Sequence, residues 1–274
     1  MPLGQCRLCL QTVDLRSSHF LPASLYKGAR TPGLKNPNPV LATKKVSLTS
    51  SKQLQTYLLC GDCEDRFNRN GEHEVLRWLA PNPNAKGIFP LLDRLSAATP
   101  RYSTLGLVGY WASDVGIDAD KFAYFALSLL WRAAVHQWQL PDGTITSHID
   151  LNDFEEPIRK YLLGDSPFPA HVIVMVTACT DLVSRNATFT PIAFPDDPHT
   201  TYVILTQGVQ FRVGVNLPPP MRQLCCTSSP QKWIFSRSCE DETMQSWASL
   251  LTTSTPVPNL ARFLNARQRK ASGE

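Results

Sequence analysis

The C-terminal two thirds of this 274-residue sequence contain no Walker loop, no Gly-x-Gly-x-x-Gly, no Gly-x-Ser-x-Gly and no His-Glu-x-x-His. Phosphate-cradling loops, dinucleotide folds, the serine-hydrolase elbow and zincin helices are therefore not announced there. Long apolar runs are also lacking. The longest, residues 122–135, is interrupted by Arg132 and falls short of the ~20 residues a bilayer span needs. The first ten residues hold two cysteines and no basic stretch followed by an apolar one, so no secretory signal is visible and a cytoplasmic location is expected. Charge is sparse at 18% against 43% hydrophobic residues, which excludes disorder of the whole chain.

Acid is nearly missing from the first 59 residues. Asp14 stands there against Arg7, Arg16, Lys27, Arg30, Lys35, Lys44, Lys45 and Lys52, a local charge of +7, while the remainder carries −3. Positive side chains interleaved with Ser, Thr, Asn and Tyr suit a surface that meets phosphates, where counterion release supplies affinity. Lys27, Arg30, Lys35, Lys44, Lys45 and Lys52 are the candidate nucleic-acid contacts. A solvated loop is the plainer account of the same residues.

Eight cysteines are present. Cys6-x-x-Cys9 and Cys60-x-x-Cys63 form two knuckles separated by 50 residues. Two thiolates two residues apart can face one ion from a tight turn, and two such pairs complete the tetrahedral shell of a structural Zn2+. A disulfide framework is the competing reading and needs an oxidising compartment. Cys179, Cys225, Cys226 and Cys239 lack the arrangement, and Cys179 sits in an apolar run that suits a buried thiol.

The pattern along the chain predicts an α+β protein. A first unit, 1–80, holds strands at 15–21 and 55–59 and a helix after the second knuckle. Pro81-Asn-Pro-Asn-Ala-Lys-Gly87 marks a boundary. The second unit, 81–274, opens with a helix from Asp118 whose apolar residues Phe122, Phe125, Leu129, Leu130 and Ala133 recur at helical spacing through Trp138. A short helix follows at 152–163. Strands are expected at 171–178, 188–194, 202–206 and 210–215, the last two as a hairpin, and helices at 240–251 and 259–269. Segregated helices and strands make this body a mainly antiparallel sheet with helices preceding it.

Between the knuckles stands Ser18-His19-Phe20-Leu21-Pro22, and the second knuckle is embedded in Gln55-Thr-Tyr-Leu-Leu-Cys60-Gly-Asp-Cys63-Glu64. In this order, residues 1–80 resemble the HNH endonuclease superfamily and uncharacterised bacterial HNH-like proteins. The resemblance implies a treble-clef zinc module and a metal-dependent nuclease that hydrolyses phosphodiester bonds, with DNA as the substrate. It implies His19 as general base on water, Gln55 as an orienting side chain and Glu64 as a ligand for a catalytic Mg2+ or Mn2+. The chain departs from the family pattern at Ser18, where the family has Asp, at Gln55, where it has Asn, and at Glu64, where it has His or Asn. A neutral imidazole suits the base role near neutral pH. The alternative is a non-catalytic, zinc-stabilised nucleic-acid or protein interaction module in which His19 is structural. Trp131, Arg132, Trp138, Trp233 and Trp247 offer planes that could stack bases, although Trp131 lies within an apolar helix pattern and reads as core.

Overall fold

The structure, a computed structural model, describes residues 1–28, 40–42, 46–50, 52–79, 89–104, 106–139, 149–185, 187–196, 199–217, 219–227, 230–253 and 255–256. The boundary expected at residues 81–87 and the helix expected at 259–269 lie outside them.

The chain begins with β1 (Leu3–Gln5), β2 (Thr12–His19), α1 (Ala23–Gly28), β3 (Val40–Ala42), β4 (Val46–Thr49), β5 (Gln55–Cys60) and α2 (Gly61–Phe67). A π-helical turn, Asn68–Glu72, joins α2 to α3 (His73–Leu79). Then come α4 (Pro90–Ser96), β6 (Tyr102–Thr104), β7 (Leu107–Trp111), α5 (Ala112–Val115), α6 (Ala119–Val135), α7 (Glu155–Leu163), β8 (Val172–Cys179) and α8 (Leu182–Arg185). The described chain closes with β9 (Thr188–Asp196), β10 (His199–Thr206), β11 (Val209–Val215), β12 (Trp233–Arg237), α9 (Glu240–Thr253) and β13 (Thr255–Pro256). The α+β class expected from the pattern is the class observed.

Three sheets form. β1, β2 and β5 make a small antiparallel sheet at the N-terminus, and β13, β4 and β3 make a second small sheet in which β3 and β4 are antiparallel and β13 runs parallel to β4. The body is a seven-stranded sheet in the order β6-β7-β12-β8-β11-β10-β9, antiparallel except where β12 runs parallel to β8. The expected β10–β11 hairpin is present. Thr206 pairs with Val209 across Gln207 and Gly208, both at positive φ (44° and 88°) as a type I′ turn requires.

α6 is the central support. Asp118 caps it, its carboxylate accepting the Lys121 N–H at 3.2 Å. The helix ends at Val135 rather than at Trp138. His136 is extended, and the Trp138 indole turns back to donate to the Arg132 carbonyl at 2.8 Å. One face meets the large sheet through Phe122 and Phe125 against Phe211, and the other meets α2 through Trp131 against Phe67. Burying each ring is worth ~1.5–3 kcal/mol, so α6 joins the N-terminal elements and the body in one continuous apolar core.

The π turn is itself the segment packed against α6. A Cβ added at Gly71 would stand 3.1 Å from the backbone N and Cα of Phe125, so the crossing distance depends on the missing side chain. Gly71→Ala is expected to lower stability by about 1–3 kcal/mol, as overpacking does. Thermal unfolding followed by circular dichroism would check this, and an unchanged midpoint would refute it.

Candidate functional site

The first knuckle is a turn between β1 and β2. Cys6 N–H donates to the Gln11 carbonyl at 2.9 Å and Leu10 N–H to the Cys6 carbonyl at 2.8 Å. Leu10 takes the left-handed conformation at φ 63° to complete the turn. The second knuckle is the junction of β5 and α2. Cys60 is the last strand residue and caps α2, and Cys63 lies in its first turn, where the helix dipole favours thiolates. Knuckle, hairpin and helix thus follow one another in the order of a treble clef.

All four sulfurs lie within 4.8 Å of one another. Cys9 and Cys60 are 3.9 Å apart, close to the ~3.8 Å edge that follows from Zn–S bonds of ~2.3 Å in a tetrahedron. Cys60 N–H donates to Cys6 Sγ at 3.4 Å. The sulfurs compete for charge. The hydrogen bond from Cys63 holds the Cys6 thiol down to about 4, and the same contact pushes Cys63 up. The donor set fits a single metal ion such as zinc. The eight cysteines are all free, so the disulfide framework has no bridge among them.

α7 reaches this centre from the body. Arg159 donates through Nη1 to the Leu8 carbonyl inside the first knuckle, and its guanidinium is within electrostatic reach of Cys9. Glu156 holds its other nitrogens at 2.6 and 2.8 Å. Four thiolates around one divalent cation leave an excess of negative charge, which a nearby guanidinium offsets. Arg159→Ala is therefore expected to speed metal loss to a chelator by about tenfold, within the 10–100-fold range usual for outer-shell partners. Chelator-competition kinetics would measure it, and an unchanged rate would remove Arg159 from the metal's support.

His19 closes β2, one strand-length from the metal cluster. Its cross-strand partner is Gln55, and the preceding pair on the same face is Ser17 with Tyr57. Alternation along β2 sets His19 and Ser17 on one face and Ser18 on the other. Burial agrees: Ser17, Gln55 and Tyr57 are exposed, Tyr57 at 55%, His19 is half-buried and Ser18 is fully buried. The strand expected at 15–21 thus starts earlier, at Thr12, and stops at His19.

Ser18 has a structural task. The β2–β5 register slips between Arg16 and Ser17, and there Ser18 Oγ accepts the Leu59 N–H at 3.1 Å. A short side chain with an acceptor satisfies a backbone group that the bulge frees from the ladder. Glu64, one residue after Cys63, is different. Its Oε1 is buried without a hydrogen-bond partner. Magnesium needs no more than one or two protein carboxylates when water and phosphate complete its shell, but Glu64 lies at the cysteine-cluster end of the hairpin and His19 at the other, so the structure does not bring the two together. Among the described residues the four cysteines are the only group of three or more potential ligands.

Of the basic residues, Lys27 at the end of α1 and Lys52 before β5 are exposed. Arg30, Lys35, Lys44 and Lys45 lie outside the described residues. Trp131, Arg132 and Trp138 are buried, so they are core rather than stacking planes. His136 packs edge-on against Trp138 at 5.1 Å, and burial, with Arg7 nearby, lowers its pKa. Sequence reasoning gave no role here to Arg159, Tyr57 or Glu72, and it read Arg132 only as a plane for stacking. Only Tyr57 carried a local signal, its position two residues beyond Gln55 on a strand.

No protein-family model, curated protein or solved structure matches this chain. Among the described residues no helix is long and apolar enough to cross a membrane.

Proposed function

We propose that the chain is an HNH-like endonuclease whose cysteine cluster holds a structural Zn2+ and whose reacting face is the exposed side of the β2–β5 hairpin. The observation that supports this reading is the His19–Gln55 pair at the open end of the hairpin whose other end carries the four-cysteine cluster. The His19 imidazole accepts a proton from water, the water oxygen bonds to phosphorus, and the bond from phosphorus to the leaving oxygen breaks. Gln55, its cross-strand neighbour, orients the base or the phosphate through its amide. Mg2+ or Mn2+ would supply charge neutralisation at the scissile phosphate; Glu64, the carboxylate the resemblance offers for it, stands at the cysteine-cluster end of the hairpin, a strand-length from His19. Lys27 and Lys52, with the other basic residues of the first 59, would bind the DNA backbone.

A second reading is favoured by Ser18, whose hydroxyl is committed to the backbone where the family carries a metal-binding Asp. It makes the same surface a zinc-stabilised nucleic-acid or protein interaction module without turnover. Cleavage of supercoiled and linear DNA in Mg2+ or Mn2+, comparing the parent with His19→Ala, separates the two. Cleavage that His19→Ala abolishes supports the nuclease. Salt-dependent DNA binding by both proteins with no cleavage by either would leave the binding module.

A further inference from the structure

We infer that Arg132 is the positioning residue of the His19 site, an inference that rests on the reading of His19 as the reacting base. Arg132 belongs to α6, yet its side chain is 1% exposed and ends among the N-terminal elements. Nη1 donates to the Phe20 carbonyl at 3.3 Å, and Nη2 donates to Glu72 Oε1 at 2.8 Å. The guanidinium lies over the Phe67 ring, 4.7 Å from its centroid. Phe20, the residue after His19, is gripped a second time by the same helix end. Trp138, whose indole is bonded to the Arg132 carbonyl, meets the Phe20 ring edge-on at 5.4 Å. Phe20 N–H donates to the Leu54 carbonyl at 2.9 Å, and Leu54 N–H donates to the Tyr26 hydroxyl at 3.2 Å. The Phe20–Leu54 bridge is therefore the contact immediately beyond the His19–Gln55 pair, and Arg132 fixes it from behind.

Stability alone does not call for a guanidinium here. Taking the charge out of water is costly, Nε has no partner at all, and buried ion pairs are often replaced by apolar side chains at no loss. What an apolar side chain lacks is the fork that ties one carbonyl and one carboxylate together. Lysine has no such fork either. The π turn completes the device, because Glu72 is its last residue and is presented toward α6 there. A general base displaced by ~1 Å can lose ~100-fold in rate while substrate binding is kept.

The test uses the zinc-loaded full chain. Arg132→Met combined with Glu72→Gln removes both charges, and Arg132→Lys keeps one contact. Three measurements are compared with the parent: steady-state kinetics (kcat and KM) on duplex DNA with Mg2+, amide exchange at Phe20, and the His19 ring resonance. The double variant is expected to lower kcat at least tenfold with KM within about twofold, to speed Phe20 exchange and to shift the His19 resonance. Arg132→Lys should fall between. Should the double variant fail to fold, the lysine variant alone decides by the same three readings. Unchanged Phe20 exchange and an unchanged His19 resonance would overturn the inference. A parent that cleaves no DNA would instead overturn the nuclease reading, and the exchange and resonance measurements would still judge the clamp.

Discussion

Cys60→Ala is expected to abolish stoichiometric zinc binding and with it the cooperative unfolding of the N-terminal elements. Cys60 performs three tasks at once. It ends β5, it caps α2, and its sulfur stands 3.9 Å from Cys9. Alanine leaves three ligands and returns the metal's open position to water, which suits a catalytic rather than a structural zinc. Binding free energy at such sites is folding free energy, about 10–16 kcal/mol in zinc-finger peptides at neutral pH. That is as large as the usual stability of a whole domain, about 5–15 kcal/mol. Leu8, Leu59 and Phe67, all fully buried, would then lose the frame that packs them. By contrast, Cys226→Ala removes a buried thiol from the body with no metal attached and should leave the zinc content at one per chain. Metal analysis and thermal unfolding of both variants check this. A parent free of metal, with the same midpoint as Cys60→Ala, would refute it.

His19→Ala should lower DNA cleavage by about 10²–10⁴-fold, the range in which a positioned general base contributes, while zinc content and melting stay at parental values. The separation is expected because His19 is half-buried on the open face and its side chain makes no hydrogen bond among the described residues. Gln55→Ala should cost less, since an orienting amide can be replaced in part by water. Cleavage by His19→Ala at the parental rate would exclude the imidazole as base.

How much of this was legible in the sequence follows from how local each feature is. The two knuckles are contacts between residues three apart, joined by one antiparallel pairing, and they could be read from spacing. α6 was legible because Phe122, Phe125, Leu129, Leu130 and Ala133 recur at helical spacing, although in the fold every residue from Phe122 to Ala134 is buried. Its end was not, because it depends on Trp138 folding back. The role of Ser18 was hidden by a one-residue register slip that no propensity records. Arg132 was hidden by distance: its contact with Phe20 spans 112 residues, and a charged residue in an apolar helix gives no sign of which carbonyl it will reach. The π turn at Asn68–Glu72 was masked by Asn70-Gly71, which reads as a helix break, while tertiary packing against α6 carries the helix through it.

The place of β12 sets an order on synthesis. β12 lies between β7 and β8, bonded to both, although it is made more than fifty residues after β8. Until Trp233–Arg237 leaves the ribosome, two strands of the large sheet present unpaired edges side by side, the kind of surface that invites pairing with other chains. The N-terminal hairpin, its metal cluster and α6 are all complete well before that point. The four cysteines can therefore come together early, and the nascent protein then waits for one short strand to seal the sheet.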